Sequence, residues 1–469
     1  MNLRHKIDKR LFHVISQAAQ EMGIEVYAVG GMVRDILLSR SNKDLDFVCV
    51  GDGPALAKRC ADILQVKKVA YYKHYGTAAF HYRGNDVEFV GARKESYRVE
   101  SRNPIVSPGN LKDDQLRRDF TINAMAISLQ ADSFGELLDP FDGLKDLTEK
   151  RIQTPTNPDI TFSDDPLRML RAVRFASQLQ FEITEDCLTA IARNAERLKI
   201  ISQERITTEL NKIILSSRPS TGFKLLFDTQ LLHQFFPEMV ALQGVSKREG
   251  ISHKDNFYHT LEVLDNVAEQ SQDLWLRWAA IMHDIAKPPT KRFDKNVGWT
   301  FHGHEDLGAK MVPKIFDRMK LPLDSSMKFV QKLVQLHLRP IALTKSEISD
   351  SALRRLLFDA GDDIDSLMIL CKADITSKNE LKVKKYLKNY EHVVVKLQAL
   401  EEKDRVRNFQ PPVSGEMIMK VYGIGPCAQV GIIKNAIKDA ILDGVIQNNE
   451  DEAVAFMHSK AQELGLKKN

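Results

Sequence analysis

The sequence predicts an α+β head followed by a long all-helical remainder, and three observations carry that prediction. Apolar residues alternate in short runs before residue 150 and recur at helical spacing almost everywhere after Asp165. A chain of 469 residues divides, at ~150 residues per domain, into about three domains rather than one core. Hydrophobic content of 43% with 28% charged residues is that of an ordinary globular protein and excludes disordered, collagen-like and low-complexity architectures. The expected boundaries are a head at 1–150, a helical neck at 151–240, a helical body at 241–408 and a helical tail at 409–469.

In the head, helical periodicity over Ile7 to Met22 gives way to β-rich Ile24 to Val29, and Gly30-Gly31 then opens a short helix. Alternating runs follow at Leu45 to Val50, Thr77 to Tyr82 and Asp86 to Val90. Ser101 to Asp114, with Pro104, Pro108 and Gly109 among polar residues, reads as a loop long enough to be mobile or functional. Helices are expected at Pro166 to Gln178, Glu185 to Leu198, Gln203 to Leu215, Ser220 to Thr229 and His259 to Glu269, with more to the C-terminus. A Pro/Gly break at Phe409 to Gly415 sets off the tail.

The balance of 67 Lys+Arg against 63 Asp+Glu argues against blanketing nucleic acid by bulk charge, so any such partner must be held by local patches. Residues 372–408 are such a patch: ten Lys/Arg against six Asp/Glu, an excess equal to that of the whole chain. Salt-sensitive binding is expected there, with Lys382, Lys384, Lys385 and Lys388 as its test positions. The five scattered cysteines (Cys49, Cys60, Cys187, Cys371, Cys427) indicate neither a disulfide framework nor a cysteine metal site. With no membrane-length apolar run and no signal-peptide pattern, the expected setting is reducing and cytoplasmic.

Asp44-Leu45-Asp46-Phe47 places two carboxylates at i and i+2 of a strand, hence on one face, with Leu45 and Phe47 on the other. Such a pair repels itself unless a cation sits between, and Mg²⁺ suits it because it prefers hard oxygen ligands and keeps positions open for substrate phosphates. Alone, the pair reads as a solvated strand edge; the context upstream changes that. Gly30-Gly31-Met32-Val33-Arg34-Asp35 follows a strand and starts a helix, so backbone N–H groups near Gly31 can approach a phosphate and Arg34 adds a charged fork. Strand, Gly-Gly, helix with Arg, then DxD resembles the nucleotidyltransferase superfamily that includes DNA polymerase beta. The resemblance implies a third acid from a neighbouring strand, for which Glu88 is the candidate; Glu88 equally fits an outward residue of a half-buried strand.

Three further segments narrow the resemblance: Arg117-Arg118-Asp119-Phe120-Thr121-Ile122-Asn123-Ala124, Asp139-Pro140-Phe141-Asp142-Gly143, and Asp164-Asp165-Pro166-Leu167-Arg168-Met169-Leu170-Arg171-Ala172-Val173-Arg174. In order and spacing they closely resemble the class II tRNA nucleotidyltransferases and bacterial poly(A) polymerases. Asp165 before Pro166 is by itself a good helix start, and an arginine stripe is by itself often a solvated face. The resemblance implies that Asp165 and Arg168 pair with the incoming base, accepting C or A and rejecting G and U. It implies that Arg118, Arg171 and Arg174 hold the nucleotide. Most members of the family have Glu where Asp164 stands here. Ser202 to Ile213 reads mainly as a packing helix whose polar residues help position the arginine helix.

In the body, His259, His283-Asp284 and Asp374 lie on separate predicted helices, the pattern of the HD phosphohydrolases, where imidazole and carboxylate gather one or two divalent metals. His304 and His337 would complete a second metal position. Pro411 to Met417 and Gly423 to Pro426 resemble the C-terminal part of HD-containing tRNA nucleotidyltransferases.

Together these resemblances imply a template-independent enzyme adding CCA to tRNA 3′ ends from CTP and ATP, with Mg²⁺ on Asp44 and Asp46, and an HD site able to hydrolyse phosphate esters at RNA ends. The alternatives are CC-only, A-only or poly(A) addition, a metal-dependent HD phosphohydrolase whose head anchors RNA, and an RNA-binding module without turnover.

Overall fold

The computed structural model describes residues 1–72, 76–98, 101–248, 251–252, 255–343, 349–376, 380–404 and 410–468. The chain divides into two compact units, Met1–Val240 and Ala241–Asn469.

The first unit is built on a mixed sheet. Strands β1 (Glu25–Val29), β2 (Asp44–Val50), β3 (Ala70–Tyr72), β4 (Thr77–Tyr82) and β5 (Asn85–Gly91) are joined by β8 (Ala126–Ser128) and β9 (Leu137–Leu138), in the order β3-β4-β5-β2-β1-β8-β9. Among the described residues of this sheet, β2 and β5 alone pair in parallel, which requires the crossover that the intervening helix supplies. Helix α1 (Arg10–Met22) ends at Gly23 in the left-handed region (φ 65°), α2 (Gly31–Leu37) opens directly after β1, and α3 (Gly53–Leu64) is capped by Asp52, which accepts the Ala55 N–H at 3.0 Å. Phe12 of α1 meets Phe47 edge-on at 5.8 Å and Phe47 stacks on Phe89 at 5.3 Å, so α1 covers the sheet face opposite Asp44 and Asp46.

Ser101 to Asp114 departs from the loop that its prolines and glycine predict. Strands β6 (Arg93–Arg98) and β7 (Ser101–Pro108) form a separate antiparallel hairpin, and Asn110 with Asp113 forms a capping box opening the helix Leu111–Leu116. A two-stranded ribbon tolerates proline because half its backbone groups face outward, and its register shifts between Ser96 and Arg98.

The neck follows the helical expectation closely. Helix α4 (Leu167–Leu179) starts with Pro166 already at helical φ, while Asp165 Oδ1 accepts the Leu167 N–H at 3.2 Å. It packs against α5 (Gln203–Ile214) and the helix Pro219–Asp228. The helix expected at Glu185 to Leu198 is instead α-helical over Glu185–Asn194 and 3₁₀ over Ala195–Ile200.

The second unit is mostly helical. Its helices α6 (Asn256–Gln270), α7 (Leu274–Met282) and α9 (Ser325–Leu336) are started by Asp255, Asp273 and Asp324, each accepting a backbone N–H of the first turn. Helices α8 (His304–Arg318), α10 (Ile364–Asp374) and α11 (Glu380–Asp404) complete the body. Two short strand pairs, Lys247–Arg248 with Ile251–Ser252 and Arg292–Asp294 with Gly298–Thr300, interrupt the helical pattern. The tail helices Gly415–Tyr422, Ala428–Leu442 and Glu450–Glu463 share a core around Ile418, Ile433, Ile437 and Met457. Among the described residues, no helix is long and apolar enough to cross a membrane, and all five cysteines are free.

Candidate active site and metal centre

The period-two reading of β2 holds: Leu45 and Phe47 are buried while Asp44 is exposed and Asp46 half-buried on the other face. Parallel pairing puts Asp46 opposite Glu88 and Asp44 opposite Asp86. Burial pushes the Asp46 carboxyl up, Arg118 pulls it back and Asp44 raises it further. Glu88 is likewise raised, by desolvation and by Asp46, with Arg93 opposing. This face is one where added positive charge is favourable. Glu88 shares the register, but the three acids do not gather their oxygens around one point as the body cluster below does. A carboxylate pair completed by substrate phosphates is an ordinary Mg²⁺ site, so the donor chemistry of Asp44 and Asp46 fits that ion.

The glycine turn closes on this pair. Gly30 adopts φ 75°, and a Cβ there would lie 3.0 Å from Arg118 Nη1 and 3.6 Å from Asp46 Oδ2. Only a residue without a side chain permits that approach. Arg118 is aimed by the fully buried Asp114, which accepts from its Nη2 at 2.8 Å and from its Nε at 3.0 Å and also pairs with Arg117.

Arg34 reaches no open phosphate cradle. It is buried, donating to Asp35 Oδ1 from Nε (2.9 Å) and Nη2 (2.8 Å) and to Asn123 Oδ1 from Nη1 (2.8 Å). Asn123 Nδ2 donates to Asp119 Oδ1 at 3.1 Å, and Arg171 Nε donates to Asp119 Oδ2 at 2.6 Å. At the other end, Asn42 Nδ2 donates to Asp35 Oδ2 and Asn42 Oδ1 accepts the Asp44 N–H, both at 2.8 Å. A continuous hydrogen-bonded line therefore runs from Arg171 on the arginine helix to the backbone of Asp44. Burial would raise the Asp119 carboxyl, but Arg171 and Asn123 hold it down to about 2.

The other arginines of α4 are also anchored. Arg168 Nη2 donates to the Arg117 carbonyl at 2.7 Å, which brings it beside Arg118. Arg174 is buried against Glu209 of α5, at 3.1 Å, and its guanidinium lies 4.3 Å from the Phe175 ring centroid, with Arg34 5.0 Å and Arg171 5.4 Å from the same ring. Glu209 thus performs the positioning expected of the Ser202 to Ile213 segment. Asp119, Asp114 and Asn123 were not singled out by sequence reasoning; the RRD…N spacing contains Asp119 and Asn123, whereas Asp114 lies before it at the end of the stretch read as a loop.

In the second unit, all six body residues converge. Asp284 is central: His283 Nε2 lies 3.2 Å, His304 Nε2 3.3 Å, His259 Nε2 3.5 Å and His337 Nε2 3.9 Å from its oxygens, while His259 Nε2 lies 2.9 Å from Asp374. His283, His304 and His337 each donate Nδ1–H to the carbonyl three residues earlier, Ala280, Phe301 and Val334, at 2.6–2.7 Å. That bond orients each ring and turns its Nε2 inward. All three Nε2 atoms are buried and face the Asp284 carboxylate. Burial disfavours charge on His283, yet Asp284 and Asp374 push it up to about 10; burial and the neighbouring His283 hold His337 down to about 4. The ligand atoms of His259, His283 and Asp284, and of Asp284, His304 and His337, each fall within 4.8 Å of one another. His259, His283 and Asp284 would hold one divalent cation, and Asp284, His304 and His337 would hold another.

Of the basic-patch residues, Lys384, Lys385 and Lys388 are exposed on α11, while the side chain of Lys382 lies outside the described residues.

Comparison with known proteins places three segments. Residues 26–153 match the Poly A polymerase head domain, 180–242 the probable RNA and SrmB- binding site of polymerase A, and 256–379 the HD domain. The chain is 32% identical to the A-adding tRNA nucleotidyltransferase of Deinococcus radiodurans, over 76% of this chain and 81% of that protein. It is 31% identical to the multifunctional CCA protein of Nitrosococcus oceani (77% and 87% covered) and 29% identical to the CC-adding tRNA nucleotidyltransferase of Thermus thermophilus (92% and 93%). Among solved structures, the Thermotoga maritima CCA-adding enzyme complexed with tRNA shares the fold, with a TM-score of 0.62 at 20% identity and 98% of each chain covered. A tRNA nucleotidyltransferase complexed with a primer tRNA and an incoming ATP analog matches at a TM-score of 0.57 and 25% identity, covering 81% of this chain and 99% of that one.

Proposed function

The chain belongs to the family of tRNA nucleotidyltransferases built on the poly(A) polymerase head domain, and from that premise we propose that it completes tRNA 3′ ends by adding C, C and A from CTP and ATP without a nucleic-acid template. The observation that carries this reading is the meeting at Gly30 of Asp46 and Arg118, an acid and a guanidinium brought together where a phosphate can approach backbone N–H groups.

In this reading Asp44 and Asp46 hold Mg²⁺, which when bound neutralises phosphate charge and favours ionisation of the attacking hydroxyl. The tRNA 3′-oxygen attacks the α-phosphorus in line, and pyrophosphate leaves. Arg118, aimed by Asp114, and Arg171, aimed by Asp119, orient the triphosphate. Asp165 accepts an exocyclic amino group while Arg168 donates to the adjacent ring nitrogen. C and A share that donor–acceptor pattern and G and U reverse it, which accounts for the selection. Arg34 and Arg174, both buried in ion pairs, act as positioning residues.

A second activity is favoured by the three inward Nε2 atoms around Asp284, hydrolysis of 2′,3′-cyclic or 3′-phosphate RNA ends: His259, His283, Asp284, His304 and His337 would hold divalent cations, which would supply activation of water there.

The test supplies tRNA ending before CCA with Mg²⁺ and CTP and ATP, singly and together, and sequences the 3′ ends. CTP alone should give CC, and both nucleotides CCA. Addition that stops at CC with both present assigns CC-only activity, extension only of tRNA already ending in CC assigns A-only activity, and no incorporation in any mixture contradicts the reading.

A further inference from the structure

The head carries a second cationic site on the sheet face away from the acid pair. A cavity of about 430 Å³ lies between the start of α1, the end of α2, the start of β2 and the β4–β5 turn. Leu45 lines it, and since side chains alternate along β2 the cavity faces opposite to Asp44 and Asp46. Five cations surround it, Lys6, Lys9, Arg10, Arg40 and Arg83, and no acid is among the described residues lining it. Lys6 is fixed, donating to the Ile36 carbonyl at 3.1 Å and to Ser39 Oγ at 3.3 Å. Arg83, held at φ 48° in the tight turn, lies 5.5 Å from the centroid of the Tyr82 ring, which also lines the cavity. The Lys9, Arg10 and Arg40 side chains are exposed, and among the described residues no acid pairs with them. Of the acids close in sequence to the lining, Asp8 pairs with His13 at 2.6 Å, Asp86 with His81 at 2.9 Å and Asp35 with Arg34 at 2.8 Å. Phe12, Met32 and Leu45 give the cavity an apolar floor.

Five like charges around one cavity repel one another, and only an anion offsets that repulsion. An apolar floor, an aromatic wall and a cationic rim match a nucleotide: the base meets the floor and Tyr82, and phosphates meet the rim. We propose that this cavity binds a nucleotide of the substrate RNA chain, forming an RNA-holding site separate from the one where addition occurs. The RNA is favoured over a free nucleotide because Lys9, Arg10, Arg40 and Arg83 are exposed around the opening, an arrangement that follows a continuous phosphate backbone. Asn42 lines the cavity and also holds the Asp44 N–H, so RNA seated here contacts the residue that sets the position of the acid pair.

The proposal rests on the tRNA reading above, and its test separates the two. Arg10→Glu/Arg40→Glu, a charge-matched control Lys58→Glu/Arg59→Glu on α3, and the unaltered protein are compared for direct binding of tRNA lacking CCA across salt concentrations and for KM of CTP at saturating tRNA. The site predicts a tRNA affinity at least ~10-fold weaker for Arg10→Glu/Arg40→Glu, with a salt slope smaller by about 2 and an unchanged KM for CTP. The control should retain its affinity and slope. An equal loss in the control, or no loss in either, overturns the proposal. A raised KM for CTP with unchanged tRNA affinity also overturns it, assigning the cavity to free nucleotide. Failure of the unaltered protein to extend tRNA while still binding it would count against the addition reading and leave the holding site standing.

Discussion

Arg34 Nη1 donates to Asn123 Oδ1 at 2.8 Å, and this one bond ties the helix after the glycine turn to the Asp119–Arg171 pair. Asn123→Ala leaves a buried guanidinium short of an acceptor and frees Asp119 from one donor. The expected cost is about 2 kcal/mol of stability, read from urea unfolding, because a buried charged donor loses its partner. Nucleotide addition should fall by more than tRNA binding, since the line to the Asp44 backbone is cut.

Asp119 makes a pH-dependent contribution. Its folded pKa of about 2 lies below the ordinary carboxyl value of 3.8, so its stabilisation is fully present above the unfolded pKa and is lost as pH falls from about 4 towards 2. The size is about 2 kcal/mol at neutral pH. Asp119→Asn should therefore be less stable than the unaltered chain at pH 7, with the gap narrowing at pH 3. A gap that stays constant would remove the Asp119 carboxylate as its source.

Arg174 and Glu209 form a buried pair, with Lys212 farther from Glu209 at 3.7 Å. Arg174→Ala should cost about 3–5 kcal/mol because it strands the Glu209 carboxylate. The double change Arg174→Met/Glu209→Met should recover most of that loss. If addition recovers together with stability, Arg174 acts by positioning α4; if stability alone recovers, its guanidinium touches the nucleotide.

The Asp284 cluster predicts separable activities. His283→Ala and Asp284→Ala should lose bound divalent metal, measured by elemental analysis, together with any opening of 2′,3′-cyclic phosphate ends to monoesters and any release of phosphate from 3′-phosphorylated RNA ends. CMP and AMP addition should persist in both. Loss of addition with retained metal would contradict the assignment.

Much of this was legible before the fold. The alternation in Asp44 to Phe47 gave the two faces of β2, and six polar residues spread from His259 to Asp374 meet around Asp284. Less legible were the partners that only tertiary packing supplies. Arg34 and Arg174 carry the same charge as Arg118, yet burial against Asp35, Asn123 and Glu209 gives them different work. Asp119 lay inside a recognised segment, but nothing local shows that it receives Arg171 from 52 residues away. The hairpin at Arg93 to Pro108 escaped because proline and glycine mark loops locally, while strand pairing in a two-stranded ribbon is decided across the turn.

The central claim is that Asp44 and Asp46 are the acids of nucleotidyl transfer. Single-turnover extension of tRNA lacking CCA, with CTP, ATP and Mg²⁺, tests it most directly when the unaltered protein is compared with Asp44→Ala and Asp46→Ala. The account predicts that both variants bind tRNA with near-normal affinity and extend it at least ~10³-fold more slowly, the scale of losing several kcal/mol of transition-state stabilisation. Normal extension by either variant would contradict it.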